Sequence, residues 1–167
     1  MPASDQGIHP ERYQLIPRVL CFITHAGREV LLLKGAPAKR IWADKYNGVG
    51  GHVERGEDFY SAARREIAEE TGLAVRNLRF RGAINIDAGQ AIGIGIFVFT
   101  AVSDSGEAAS SGEGTLEWVP FEQIGQRDLV EDLPVLLPKV LAMMDDDPPF
   151  FGRYWYDDEG RLKIEFR

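Results

Sequence analysis

Only one cysteine, Cys21, occurs in the chain and it lies inside an apolar run, so no internal disulfide can form and a reducing, cytoplasmic setting is expected. Histidine is scarce as well, with only His9, His25 and His52, which leaves little nitrogen or sulfur for a soft-metal site. No stretch approaches the roughly 18 consecutive apolar residues of a membrane span. The N-terminus, MPASDQGIHPER, has neither the basic nor the apolar segment of a signal peptide. No block of Lys and Arg stands out, and a formal net charge of −7 argues against a surface for DNA, RNA or a membrane. A small anionic substrate would then need its charge offset locally. What is present is ordinary globular material, 167 residues with 44% apolar and 27% charged, expected to form one domain over 12–167 behind a loose polar arm over 1–11.

The stretch 51–73 reads GHVERGEDFYSAARREIAEETGL. Over 58–71 it has no Pro or Gly, is rich in Ala, Arg and Glu, and runs into Gly72, a residue that readily takes the left-handed conformation ending a helix. A helix over 58–71 is expected. At about 100° per residue, Phe59, Ala62, Ala63 and Ile67 make one apolar stripe that should pack on the body of the protein. Glu66 and Glu70 fall inside that stripe and Glu69 lies at its edge. Carboxylates at i, i+3 and i+4 repel one another, and turning them towards a core is costly unless a cation sits among them. Oxygen donors with no His or Cys nearby on the helix suit a hard ion, Mg²⁺ or Mn²⁺. A merely solvated Glu-rich helix would not call for Gly51, Glu57, Arg65 and Gly72 around it. Arg65 stands beside the carboxylates and can fork onto Glu57 to orient it.

Those residues carry a resemblance. Gly51, five residues, Glu57, seven residues, then Arg65, Glu66, Ile67, one free position, Glu69, Glu70, one free position, Gly72 and Leu73 match the box of the Nudix hydrolases at every fixed position. The chain resembles that family, whose members hydrolyse a nucleoside diphosphate linked to another group. The resemblance implies an α/β fold, an α/β/α layered domain with a mixed β-sheet. It implies that Glu66, Glu69 and Glu70, with the carbonyl of Gly50, ligate Mg²⁺ or Mn²⁺. In the MutT-like branch a further glutamate comes from a loop shortly before a Trp-bearing strand. Glu113, ahead of Trp118, takes that place as ligand or general base, with Glu107 and Glu117 as competitors. A Pro or Tyr soon after the box marks the ADP-ribose and diadenosine polyphosphate branches, and 74–97 contains neither. The MutT-like nucleoside triphosphate branch leads. A nucleotide-sensing module on the same fold is the other class of function, normally accompanied by an eroded box, and here the box is intact.

The rest of the chain is strand-rich. β-Branched and aromatic residues suggest strands over 13–24, limited in pairing by Pro17, and over 29–33, joined as a hairpin. Long strands are expected over 75–87 and 92–102, where Gly93 and Gly95 admit a close neighbour such as a ligand or backbone. A loop over 103–114 leads to a strand over 115–120, a turn of helix over 121–124 and a helix over 133–144 that Pro138 could break. Segments 150–156 and 161–166 form a terminal hairpin. Strands on both sides of a central helix, with a later helix, give an α/β layered domain with a mixed sheet.

The loop over 34–45 carries Lys34, Lys39, Arg40 and Lys45, which either hold the distal phosphates of a substrate or are plain solvated charges. Trp42 and Tyr46 flank it, as a stacking wall for a base or as core. The run Tyr46 to Gly51 resembles the oxidised-purine nucleoside triphosphatases of the MutT-like branch, where the Asn matching Asn47 reads the base edge. The tail from Trp118 to Phe151, Gly152 and Tyr154 resembles them too. Their Trp-Pro-Asp-Asp segment aligns with Val130, Glu131, Asp132 and Leu133, so the ring is lost and the first Asp is kept as Asp132. A carboxylate beside another can hold a proton near neutral pH and donate it to a purine acceptor; alternatively Glu131 and Asp132 cap the following helix. The expected partner is a small nucleotide, a purine (deoxy)nucleoside triphosphate such as 8-oxo-dGTP, cleaved to monophosphate and pyrophosphate. Self-association into a homodimer is left open.

Overall fold

Apolar residues at strand spacing recur along the chain, and the computed structural model describes residues 2–7, 9–38, 41–110, 112 and 114–167. Among them β1 (Gln14–His25), β2 (Glu29–Gly35), β3 (Tyr46–Asn47), β4 (Val75–Asp87), β5 (Ile92–Ser103), β6 (Gly114–Pro120), β7 (Phe150–Tyr156) and β8 (Leu162–Phe166) form one eight-stranded sheet. Its order is β3-β2-β1-β5-β4-β7-β8, with β6 also paired to β2. β1 runs parallel to β5 and β4 parallel to β7, while the other neighbours are antiparallel, so the sheet is mixed. The two-residue β3 is too short to leave a period in the sequence.

Successive side chains of a strand face opposite ways, and both faces of this sheet are covered. Leu20, Phe22, Ile84 and Val98 meet Leu133, Leu136, Leu137 and Val140 of helix α2 (Leu133–Leu141). On the other face Val19, Cys21, Ile23 and Phe99 meet Ala62, Ala63 and Ile67 of helix α1 (Phe59–Thr71). The result is the expected α/β/α layering. No described helix is long and apolar enough to cross a membrane.

Helix α1 begins at its N-cap, Asp58, whose carboxylate accepts from Ser61 N–H at 2.9 Å, and it ends on Gly72 at φ 67°. Phe59 departs from the expected stripe: it is 41% exposed and stacks on Phe97 of β5, ring centroids 3.6 Å apart, instead of entering the core. Helix α2 stops at Leu141, short of Met144, and runs through Pro138 without a break. Proline removes one helical hydrogen bond, but four fully buried aliphatic side chains hold this helix on the sheet.

Three details position the site. β1 pairs with β5 along its whole length, whereas its pairing with β2 covers only Ile23 to His25. Beside the rest of β1 lies the glycine-rich segment 48–53, bridged through Cys21 with Val49 and Arg18 with His52, and Val53 N–H donates to the Pro17 carbonyl at 3.1 Å. The neighbour admitted by Gly93 is Tyr13 of this chain, whose hydroxyl donates to Asn85 Oδ1 at 3.0 Å and would lie 1.9 Å from a Cβ at Gly93. In the polar arm, Ala3–Gln6 is a 3₁₀ turn.

Candidate active site

Glycine brings the 48–53 segment against α1. A Cβ on Gly50 would sit 2.1 Å from the Val19 carbonyl oxygen, and one on Gly51 would sit 2.4 Å from Glu66 Oε1, so neither position accepts a side chain without backbone or carboxylate moving. The close approach lets Gly50 N–H donate to Glu70 Oε2 at 3.0 Å. Gly51 in turn accepts from Val19 N–H through its carbonyl at 2.9 Å, which fixes the segment to β1.

The wall built this way is acidic. Glu70 is only 7% exposed and the Glu66 side chain 12%, as expected inside the stripe, whereas the Glu69 side chain at its edge is 62% exposed. The cation among them is Arg65. Its Nε donates to Glu57 Oε1 at 2.7 Å and its Nη2 to Glu57 Oε2 at 2.9 Å, a two-pronged fork. Its Nη1 donates to Glu66 Oε1 at 2.8 Å and to Glu69 Oε2 at 3.1 Å, and its Nη2 also to the His52 carbonyl at 3.0 Å. The bonds to Glu57 and then Glu66 hold the guanidinium proton more firmly than usual. Glu57 lies below its ordinary carboxylate range because of Arg65 first, and the Glu54 N–H second. Burial pushes the Cys21 thiol up, and the charges of Glu66 and Glu70 push it further, so this cysteine is no nucleophile.

Glu66, Glu69 and Glu70 form one side of a cavity of about 630 Å³. Arg18, Asn47, Gly50, Glu131, Asp132 and Tyr154 line it as well, with Ile86, Ile96 and Leu162 as apolar floor and Trp42 and Tyr156 among its aromatic walls. Burial, followed by the neighbouring Glu131, raises the Asp132 carboxyl. Tyr154 is 1% exposed, and burial, then Asp132, pushes its phenol up. The Asp132 side chain makes no capping bond to α2, although it occupies the N-cap position; its carbonyl accepts from Leu136 N–H at 2.9 Å. Asn47 Oδ1 accepts from Gly48 N–H at 2.8 Å.

Other expected residues lie elsewhere. Lys34 does not line this cavity; it faces Asp44 at 3.8 Å and borders a smaller hollow with Pro37 and Thr115. Tyr46 packs on the α2-side core and donates to Glu117 Oε2 at 2.6 Å. Glu117 also pairs with Arg127, which makes it a structural carboxylate of β6 rather than a base in the cavity. Glu107 lies outside the cavity lining. Glu113, Lys39 and Arg40 lie outside the described residues. Sequence reading missed Arg18, Tyr156 and the apolar floor as site residues, and it met Tyr154 only as part of a resembling tail. Each is one residue in an ordinary strand pattern, and no local signal marks it.

Among the described residues no three acidic, His or Cys groups converge as a ready metal cage. What the acidic wall offers is an all-oxygen donor set beside glycines that leave the backbone open, and that chemistry fits a hard divalent ion.

Comparison with known proteins agrees with the fold. Residues 14–140 match the family model described as NUDIX domain. An oxidized purine nucleoside triphosphate hydrolase of Danio rerio is 34% identical over 126 residues, covering 72% of this chain and 78% of the relative. The Mus musculus protein of the same name is 33% identical over 132 residues, covering 78% and 82%. Among solved structures, a mutator MutT protein from Bacillus halodurans superposes with a TM-score of 0.75 at 25% identity, covering 91% of this chain and 97% of that one.

Proposed function

Since the chain belongs to the Nudix family and is a Nudix hydrolase, we propose that its substrate is a purine (deoxy)nucleoside triphosphate, cleaved to the monophosphate and pyrophosphate, with 8-oxo-dGTP as the leading candidate. The observation that carries this reading is a single cavity with an acidic, glycine-backed wall at one side and Asn47, Asp132 and Tyr154 over an apolar floor at the other. One side suits phosphates with their counter-cation and the other suits a heterocycle. Relatives named for oxidised purine triphosphates support the choice of substrate.

In this reading Glu66, Glu69, Glu70 and the Gly50 carbonyl hold Mg²⁺ or Mn²⁺. Such an ion, when bound, polarises a phosphoryl group and makes water a better nucleophile. The remaining work belongs to the chain. Arg65 ties Glu57, Glu66 and Glu69 to the His52 carbonyl, so the carboxylates keep their places despite mutual repulsion. Gly50 N–H holds one oxygen of Glu70. Asn47 supplies an amide to the base edge, and Asp132, raised by burial and by Glu131, supplies a proton. Glu113 is the proposed base or further ligand.

The test is kcat/KM for 8-oxo-dGTP, dGTP, dATP and dCTP side by side with Mg²⁺, pyrophosphate being read through inorganic pyrophosphatase. A preference of at least about tenfold for 8-oxo-dGTP over dGTP, or about 1.4 kcal/mol, is expected. A smaller preference removes the sanitising role and leaves a general nucleotide hydrolase.

A further inference from the structure

Among the described residues two side-chain polar atoms are buried without a hydrogen-bond partner, Arg18 Nε and Tyr154 Oη, and both residues line the same cavity. Unpartnered buried polar atoms are rare and costly in folded proteins, so two in one cavity indicate bonds made to a ligand. Their positions give the ligand a length and a direction. Arg18 is on β1, bridged to His52 beside the acidic wall, and Tyr154 is on β7. β5 and β4 separate those strands, so the two residues stand three strand spacings apart, about 14 Å across the sheet. In register, Arg18 pairs with Ile96, and Tyr154 pairs with Ile86, which pairs with Ile94, so an apolar floor joins them. That is the span between the phosphates and the base of a single nucleotide.

We propose that the Tyr154 hydroxyl is a specificity-determining group that donates to the O6 carbonyl of a 6-oxopurine, while Arg18 faces the phosphates at the other end. This deepens the proposed function above and rests on it. Tyr154 sits among Ile86, Leu162 and Tyr156 in the cavity lining. Its phenol stays protonated, being pushed up by burial and by Asp132, and therefore offers a donor. Asp132 adds a second proton on the same wall when neutral. Guanine presents two acceptors, O6 and N7, side by side, whereas adenine sets an N6 amine donor next to N7 and cytosine presents an N4 amine. A donor facing position 6 therefore favours a 6-oxopurine. O6 is retained when the base is oxidised at C8, although N7 then carries a hydrogen and becomes a donor, so dGTP and 8-oxo-dGTP both use Tyr154 through O6 alone.

The test is Tyr154→Phe, which removes one oxygen and keeps the ring. Expected is a fall in kcat/KM of about tenfold or more for dGTP and 8-oxo-dGTP, carried by KM, with dATP and dCTP changing by less than about twofold. The Tm of the protein without nucleotide stays equal or rises, because the hydroxyl has no partner to lose. The thermal shift given by dGMP shrinks, and that given by dAMP does not. A loss spread evenly over the four triphosphates, or a loss below about twofold for dGTP, overturns the proposal. So does a lower Tm without nucleotide, which would mean that the hydroxyl is bonded inside the protein. If the wild-type protein hydrolyses none of the triphosphates, the reaction proposed above falls, and the dGMP and dAMP shifts still decide the role of Tyr154.

Discussion

Arg65 and Glu70 hold the acidic wall in different ways. Arg65 spends its guanidinium on Glu57, Glu66, Glu69 and the His52 carbonyl, whereas Glu70 is held by the Gly50 N–H. Glu70→Gln keeps an oxygen to accept that N–H and removes one negative charge from a site that must offset phosphoryl charge. Steady-state kinetics at saturating Mg²⁺ should show kcat reduced about a hundredfold or more. Thermal melts without metal should show no loss of stability, since repulsion with Glu66 is relieved. A variant retaining more than about a tenth of wild-type kcat, a loss under about 1.4 kcal/mol, would remove Glu70 from the machinery.

At the scale of elements, α1 presents its carboxylates correctly only if its register is fixed at both ends. Asp58 accepts from the Ser61 N–H at 2.9 Å and from the Ser61 hydroxyl at 2.8 Å, and Gly72 closes the helix with φ 67° and an N–H bond to the Ala68 carbonyl at 3.0 Å. Asp58→Ala should cost about 1 kcal/mol in urea unfolding. Gly72→Ala should cost about 1–2 kcal/mol, because a Cβ is strained in the left-handed region. Neither residue lines the cavity, so kcat should change far less than in Glu70→Gln; an equal collapse of kcat would show that the caps do more than hold the helix. The same helix illustrates what a local pattern can mislead on. Phe59 belongs to the apolar stripe by angle, but it lies at the first turn, where the sheet beneath offers Phe97 as a stacking partner instead of a buried pocket.

The molecule as a whole has opposed pH dependences. Asp104 lies below its ordinary range because of Arg76, and Asp157 falls to about 2 chiefly through the Arg161 N–H. Burial pushes Glu117 up, but the hydrogen bonds of Tyr46 and Arg127 together bring it below its ordinary 4.5. Each is more acidic folded than unfolded, so its stabilisation is complete above its ordinary value and is lost as pH falls through the depressed one. Melting temperature should therefore drop on acidification below about pH 4.5. Asp132 has the opposite sign: raised by burial and then by Glu131, it costs stability as pH rises from its ordinary 3.8 through the raised value. Asp132→Asn should thus gain Tm over wild type at neutral pH and show little gain near pH 3.8; an equal gain at both would mean that Asp132 is not raised. EDTA should abolish activity and Mg²⁺ or Mn²⁺ restore it, since the acidic wall is all oxygen. Turnover in EDTA, or zinc working better than Mg²⁺, would overturn the hard-ion assignment.

The sequence by itself determined the family, the layered α/β fold, nearly every strand and the acidic helix, because those depend on short-range spacing: the period of a strand, the angle around a helix, a glycine at a helix end. Even the fork from Arg65 to Glu57 was legible, since both residues belong to one contiguous stretch. The other half of the cavity was decided by tertiary structure. Arg18, Ile96, Ile86 and Tyr154 come from β1, β5, β4 and β7, and they meet only through parallel and antiparallel pairings between strands far apart in the chain. Lys34 and Tyr46 turn away from the cavity for the same reason, because β2 and β3 set their direction by pairing with each other. Spacing along the chain records which residues share a helix face; which strands lie side by side follows from the burial of both sheet faces at once, and no local pattern encodes it.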